Sequence, residues 1–281
     1  MKRYKFILVA IGTSMLFSFL TGDSAAQRRK TAARANTEAI ELFVGICAAY
    51  KTRPLQMQLT IKNAADIAGA TEDTASFQVM FTMQQEGTMV TMPGVEQHIN
   101  DSLMLLVHTD LKQMMLFRNT PEMTRQVQRF SGDLVAGSTV EELRKHYNAG
   151  FMEERDGNAG VWLKSRSVLP GNPLPKNEVT LVFSNEKRAP VSVTQLTRSL
   201  VLIDSTDYQE LLVLDGFKEK LLNTAEGLFV IKESTSTYLF DRISHDRIAL
   251  PARMSNRIMQ TGDGDYMPVK EYQEYVLHKN F

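Results

Sequence analysis

The feature that most narrows the fold is a run of short strands carrying apolar side chains on both faces. Between Phe77 and Phe117 the sequence reads as an antiparallel ladder, and two of its strands leave neither face polar. Leu103, Leu105 and Val107 stand against Met104 and Leu106, and Met114 and Leu116 against Met115 and Phe117. Side chains alternate across a sheet, so strands of this kind must be covered on both sides. Methionine supplies much of the surface: Met57, Met80, Met83, Met89, Met92, Met104, Met114, Met115 and Met123 fall within one third of the chain. The thioether adapts to irregular partners and serves adaptable binding surfaces for that reason. The pattern predicts a sheet whose cover is not all evident in the sequence.

Lys2, Arg3 and Lys5 precede an apolar stretch from Phe6 to Leu20, and Ser24-Ala25-Ala26 offers a small-residue cleavage site before Gln27. These are the parts of a secretory signal peptide over residues 1–26, too short and wrongly flanked for a spanning helix. No lipid-attachment cysteine follows, and no second apolar run is long enough to cross a bilayer. The only cysteine, Cys47, excludes an internal disulfide and falls on a predicted core stripe, where it reads as a small buried residue. Without residues 1–26 the chain carries 29 basic against 31 acidic residues, which leaves no footprint for nucleic acid. Arg28, Arg29, Lys30 and Arg34 form a basic leader over 27–35, expected to be flexible. Residues 36–281 read as one domain, large enough to bury roughly 70–75% of its unfolded surface.

Asn36 or Thr37 is the expected cap of an amphipathic helix with Ile40, Phe43, Cys47 and Tyr50 on one stripe, stopped by Pro54. Leu55, Met57, Leu59 and Ile61 then alternate with polar residues, as do Phe77, Val79, Phe81 and Met83. Strands are expected at 88–92, 101–108 and 112–118. Thr120-Pro121-Glu122 opens a helix carrying Met123, Val127 and Phe130, and Ser138-Thr139-Val140-Glu141 is a capping-box sequence for a second. Further strands are expected over 151–155, 160–164, 179–183, 191–196, 200–203, 208–214, 228–231, 238–243 and 272–277. The composite is mainly β (α+β): a large curved antiparallel sheet or half-barrel, with an N-terminal helix and a mid-chain helix pair on its concave face.

Catalytic patterns are sparse. His98, His108, His146, His245 and His278 make no HxxxH or HxH pair, so no metal site is expected. Ser184-Asn185-Glu186-Lys187 has the S-x-x-K spacing without its partner motifs and reads as a hairpin loop. Asp263-Gly264-Asp265 is better explained as a turn than as a fragment of a calcium loop, and Asp204 and Asp207 flank another turn. Trp162 is expected in the core. No cofactor is implied.

The leading helix, the alternating strand Leu55–Ile61, the meander Phe77–Phe117, the helix pair at Pro121–Phe130 and Thr139–Tyr147, Leu250-Pro251 and the terminal Tyr272-Gln273-Glu274-Tyr275 together give an order of elements that resembles the periplasmic outer-membrane lipoprotein carrier and receptor (Lol-type) superfamily. The resemblance implies an unclosed half-barrel whose concave apolar face is lidded by helices and accepts acyl chains. Its groove would be lined by Phe77, Val79, Phe81, Met83, Met92, Met104, Leu106, Met114, Leu116, Met123, Val127 and Phe130. The reading that follows is a soluble, non-catalytic periplasmic carrier for lipid, lipoprotein acyl chains or a similar amphiphile. The alternative is an envelope interaction protein whose apolar sheet patches bind another polypeptide; an enzyme ranks third.

Overall fold

The computed structural model describes residues 20–49, 52–67, 71–130, 138–246 and 252–280. Helix α1 (Leu20–Ala49) buries Ala39, Ile40, Phe43, Ile46 and Cys47. Steps of three and four residues put them on one stripe. The helix does not begin at Asn36 or Thr37, and it takes in the leader expected to be flexible over 27–35. Alanine and arginine dominate residues 25–35, and their helix propensity extends the docked turns backwards. Residues 1–19, with Lys2, Arg3 and Lys5, lie outside the described residues, as does Tyr50.

Six strands follow as a meander of hairpins: β1 (Leu55–Ala65), β2 (Ser76–Gln84), β3 (Gly87–Met92), β4 (Val95–Ile99), β5 (Leu103–His108) and β6 (Gln113–Arg118). Strand β4 was not expected. Pro93-Gly94 turns the chain directly from Met92 to its partner Val95, with Gly94 at φ +71. A Cβ at Gly94 would lie 2.6 Å from a carboxylate oxygen of Asp110, so the position needs glycine on both counts. Helices α2 (Pro121–Phe130) and α3 (Val140–His146) come next. The capping box of α3 forms one residue later than expected, with the Glu142 N–H donating to the Thr139 hydroxyl at 3.1 Å.

A second meander contains β7 (Tyr147–Arg155), β8 (Asn158–Ser165), β9 (Asn177–Ser184) and β10 (Pro190–Ile203). Strand β10 unites the two segments expected at 191–196 and 200–203. The strand expected at 208–214 is instead helix α4 (Ser205–Leu212). The Asp204 carboxylate accepts the N–H groups of Thr206 and Asp207, both at 2.8 Å, and this cap starts a helix where a turn was expected. Strand β11 (Leu221–Thr224) leads to β12 (Gly227–Ser244), which again replaces two expected strands with one.

Strand β12 pairs with β10 on one side and with β1 and β11 on the other, so it joins the two meanders into one 13-stranded sheet. The order runs β15-β6-β5-β4-β3-β2-β1-β12-β10-β9-β8-β7, with β15 (Val276–Asn280) parallel to β6, and the sheet does not close. Eight adjacent strands, β3 to β7 along that order, send side chains into the core around α1. Laid flat they would span about 34 Å at ~4.8 Å per step. A helix is only about 10 Å across, so the sheet must bend around it.

Candidate functional site

The pairing registers decide which face each side chain of the first meander occupies. Met57 lies opposite Phe81, Phe81 opposite Val90, Val90 opposite Gln97, Gln97 opposite Leu106 and Leu106 opposite Met115. All of these share the α1 face, because cross-strand partners point the same way. Leu105 and Val107, with their partners Leu116 and Met114, occupy the other face.

The second face is covered by the chain itself. Strands β13 (Ile258–Gln260) and β14 (Tyr266–Pro268) form a small hairpin closed by the turn at Asp263-Gly264-Asp265. Ile258, Met254, Tyr266, Tyr272, Tyr275 and Leu277 pack on Leu105, Val107, Met114 and Leu116, all four of which are 0% exposed. The Arg257 guanidinium fastens this strap to the sheet, donating to both Glu96 oxygens at 2.9 and 3.3 Å and lying 4.7 Å above the Tyr272 ring. Burial pushes the Glu96 carboxyl upward, but Arg257 and His98 together outweigh it and hold the carboxyl below its usual range. His98, 3% exposed and 3.3 Å from Glu96, is held below the usual imidazole range, chiefly by burial.

The expected groove therefore divides. Met114 and Leu116 are corrected to the strap side. The loop between the paired residues His108 and Gln113 holds an even number of residues, so odd positions on β6 continue the face of even positions on β5. Val79 and Phe81, each 1% exposed, belong to the core under α1, with Phe77, Met83 and Met92 packed at its margin. Met104 and Leu106 remain half-buried on the α1 face and belong to neither packed cluster of the described residues. Met115 and Phe117 share that face and that half-burial, although the sequence reading left them out of the groove. Counting the loop length would have found them. Met123 on α2 is half-buried; the side chains of Val127 and Phe130 lie outside the described residues.

What remains is a patch of Met104, Leu106, Met115 and Phe117 extending from the α1 core towards the β6 end of the sheet, with Val95 and Gln97 on the same face. The Gln97 amide donates to the Met104 sulfur at 2.9 Å. His108, opposite Val95 and half-buried, shares this face at its edge. The four apolar side chains themselves carry no acid, base or nucleophile; they can exclude water from hydrocarbon. A separate cleft of about 580 Å³ lies where the β3 and β4 ends meet the strap, lined by Glu86, Thr88, His98, Asn100, Arg253 and Ser255 among others. It does not include the patch. Among the described residues no three His, Cys, Asp or Glu side chains are placed to share a metal ion.

Trp162 is not in the core. Val161 and Leu163 take the α1 face of β8, so Trp162 points to the opposite side. There it lies against Gly150, where a Cβ would come within 2.5 Å of the indole, and the Lys164 ammonium sits 5.7 Å from its ring centre. Beyond it, Arg198 bridges Glu178 at 2.6 Å and Glu233 at 2.7 Å, and Lys220 links Glu233 to Asp66 at 2.7 and 2.6 Å.

No protein-family model matches the chain, and no curated protein matches it in sequence. Among solved structures it is similar to a domain of a candidate outer membrane lipoprotein-sorting protein from Vibrio parahaemolyticus, with 10% identity over 79% of this chain and 97% of that one, at a TM-score of 0.28. A LolA superfamily protein from Nitrosomonas europaea aligns with 10% identity over 76% of this chain and 94% of its own, at a TM-score of 0.26. A DUF1329 family protein from Desulfovibrio piger aligns with 7% identity over 77% and 95%, at a TM-score of 0.32. At these identities and scores the likenesses carry no argument about function, which rests on the chain's own geometry.

Proposed function

We propose that this chain is a non-catalytic carrier of the periplasm that holds a lipid, a lipoprotein acyl chain or a similar amphiphile against the α1 face of β4, β5 and β6. One observation carries the reading. Met104, Leu106, Met115 and Phe117 form an apolar surface on the side of the sheet that α1 leaves half-open, while the equivalent surface on the other side is sealed by the strap. Each methylene moved from water onto such a surface gains about 0.8 kcal/mol, so an alkyl chain needs no charged anchor to stay. Methionine at two of the four positions lets the surface fit chains of differing shape. The signal-peptide pattern supports export, and among the described residues no helix is long and apolar enough to cross a membrane.

The test is native mass spectrometry of the chain purified without detergent, followed by titration with a fluorescent long-chain fatty acid. A bound amphiphile and saturable uptake are expected, with uptake abolished by Leu106→Glu. A wild-type chain that takes up no acyl probe, or a Leu106→Glu variant that takes it up normally, overturns the reading.

A further inference from the structure

The β12 strand carries a second surface far from the patch along the sheet. Its first residues pair with the end of β10 on one side and with β11 on the other, and α4, which follows Ile203, lies against β11 and β12. Helix α4 buries none of its residues, and the chain leaves it through three consecutive apolar side chains. Leu212, Val213 and Leu214 are 38%, 80% and 51% exposed, and Leu202 at the end of β10 is 66% exposed. Isolated exposed apolar side chains need no explanation, but three in succession, with a fourth at the end of the adjoining strand, concentrate apolar surface at one end of a three-strand lobe that solvent alone does not favour.

Charge around the patch selects among its possible occupants. Asp204, Asp207, Glu210, Asp215, Glu219 and Glu226 are all exposed, and none is ion-paired to a described residue. Lys220, the lobe's half-buried cation, is already held between Asp66 and Glu233, which leaves Lys218 as the exposed one. A second copy would bring the same carboxylates into contact with these, and an anionic bilayer would be repelled by them. A polypeptide with an apolar ridge flanked by lysine or arginine satisfies both the patch and its rim.

We propose that this lobe is a docking surface for such a basic, apolar polypeptide. The proposal is independent of what the β4–β6 patch holds, because it rests on different residues, with β1, β2 and β3 lying between β12 and that patch. The probe is a fluorescein-labelled amphipathic leucine/lysine helical peptide, titrated into the full chain by anisotropy at low and physiological salt. Saturable binding is expected, weakened roughly tenfold or more by the double variant Leu202→Glu/Val213→Glu. Glu219→Lys/Glu226→Lys should flatten the salt dependence, and Leu106→Glu should leave peptide binding unchanged. Circular dichroism confirms that the exposed variants stay folded. Absence of peptide binding overturns the proposal, as does binding that only Leu106→Glu removes. Co-sedimentation with phosphatidylglycerol vesicles that Val213→Glu abolishes would give the lobe to a membrane, and self-association abolished by the same change would give it to a second copy; either result overturns the proposal too.

Discussion

The side-chain oxygen of Asn36 accepts the backbone N–H of Ala149 at 2.5 Å, joining α1 to strand β7, the last strand at that end of the sheet. An edge strand presents unpaired N–H groups to solvent, and here a helix side chain satisfies one of them. Asn36→Ala should cost about 1 kcal/mol in urea denaturation, the usual net worth of one such bond. Asn36→Asp, whose carboxylate accepts the same N–H, should keep most of the stability. Equal losses in the two variants would show that the bond does not matter.

Phe43 is the largest side chain of the α1 stripe and is fully buried against the bent sheet. Phe43→Ala should destabilise the fold by about 3–5 kcal/mol through lost burial and the cavity left behind. The denaturation midpoint should fall while its slope stays unchanged.

Adjacent residues on β6 should behave oppositely. Leu116 is sealed beneath the strap, so Leu116→Ala should cost about 2–5 kcal/mol. Met115 faces the half-open side, and Met115→Ala should cost about 1 kcal/mol or less while weakening acyl-probe uptake. Comparable stability losses at both positions would mean the two faces are equally filled.

Acid should loosen the strap in two stages. His98 titrates lower in the fold than its unfolded value of about 6.5, so its neutral form is favoured there. That contribution is complete above about pH 6.5 and is lost as the pH falls towards the folded value. The depressed Glu96 carboxyl adds a second loss below about pH 4.3. The melting temperature should therefore decline from about pH 6.5 downwards, and His98→Gln should remove the first stage alone. A His98→Gln profile parallel to wild type would refute the assignment.

Arg198 is 9% exposed between Glu178 and Glu233. Arg198→Met should cost about 1–3 kcal/mol, because Glu178 and Glu233 each lose a charge-assisted hydrogen bond while keeping one cation, Lys164 and Lys220 respectively. Arg198→Lys should recover only part of it, since one ammonium cannot reproduce the two-sided fork. Guanidinium-free urea melts of the three proteins read the order directly.

Local pattern made most of the wall legible. The alternation in Leu55–Ile61 and Phe77–Met83 gave both position and face, and Thr120-Pro121 placed α2 at its first residue. The two-faced strands demanded cover on both sides, and among the described residues the chain packs over one face of β5 and β6 and leaves the other half-buried. What sequence could not supply was the origin of that cover: one face is covered by residues more than a hundred positions downstream, and no local rule links Ile258 to Leu105. The groove was misdrawn at Met114 and Leu116 because face was carried across a hairpin without counting its loop. Asn36 misled for a related reason. Its amide suits a helix cap, and only the folded arrangement shows that it serves β7 instead.

Strand β12 runs for 18 residues, about 60 Å at 3.3 Å per residue, and lends hydrogen bonds to both the α4 lobe and the wall around α1. Its register shift against β1, at Asp241, lies at the end away from the lobe, so the pairing runs without a shift from β11 into the wall. Mechanical load or thermal loosening at one end is carried along the same backbone to the other, so the molecule should lose both regions in a single cooperative step.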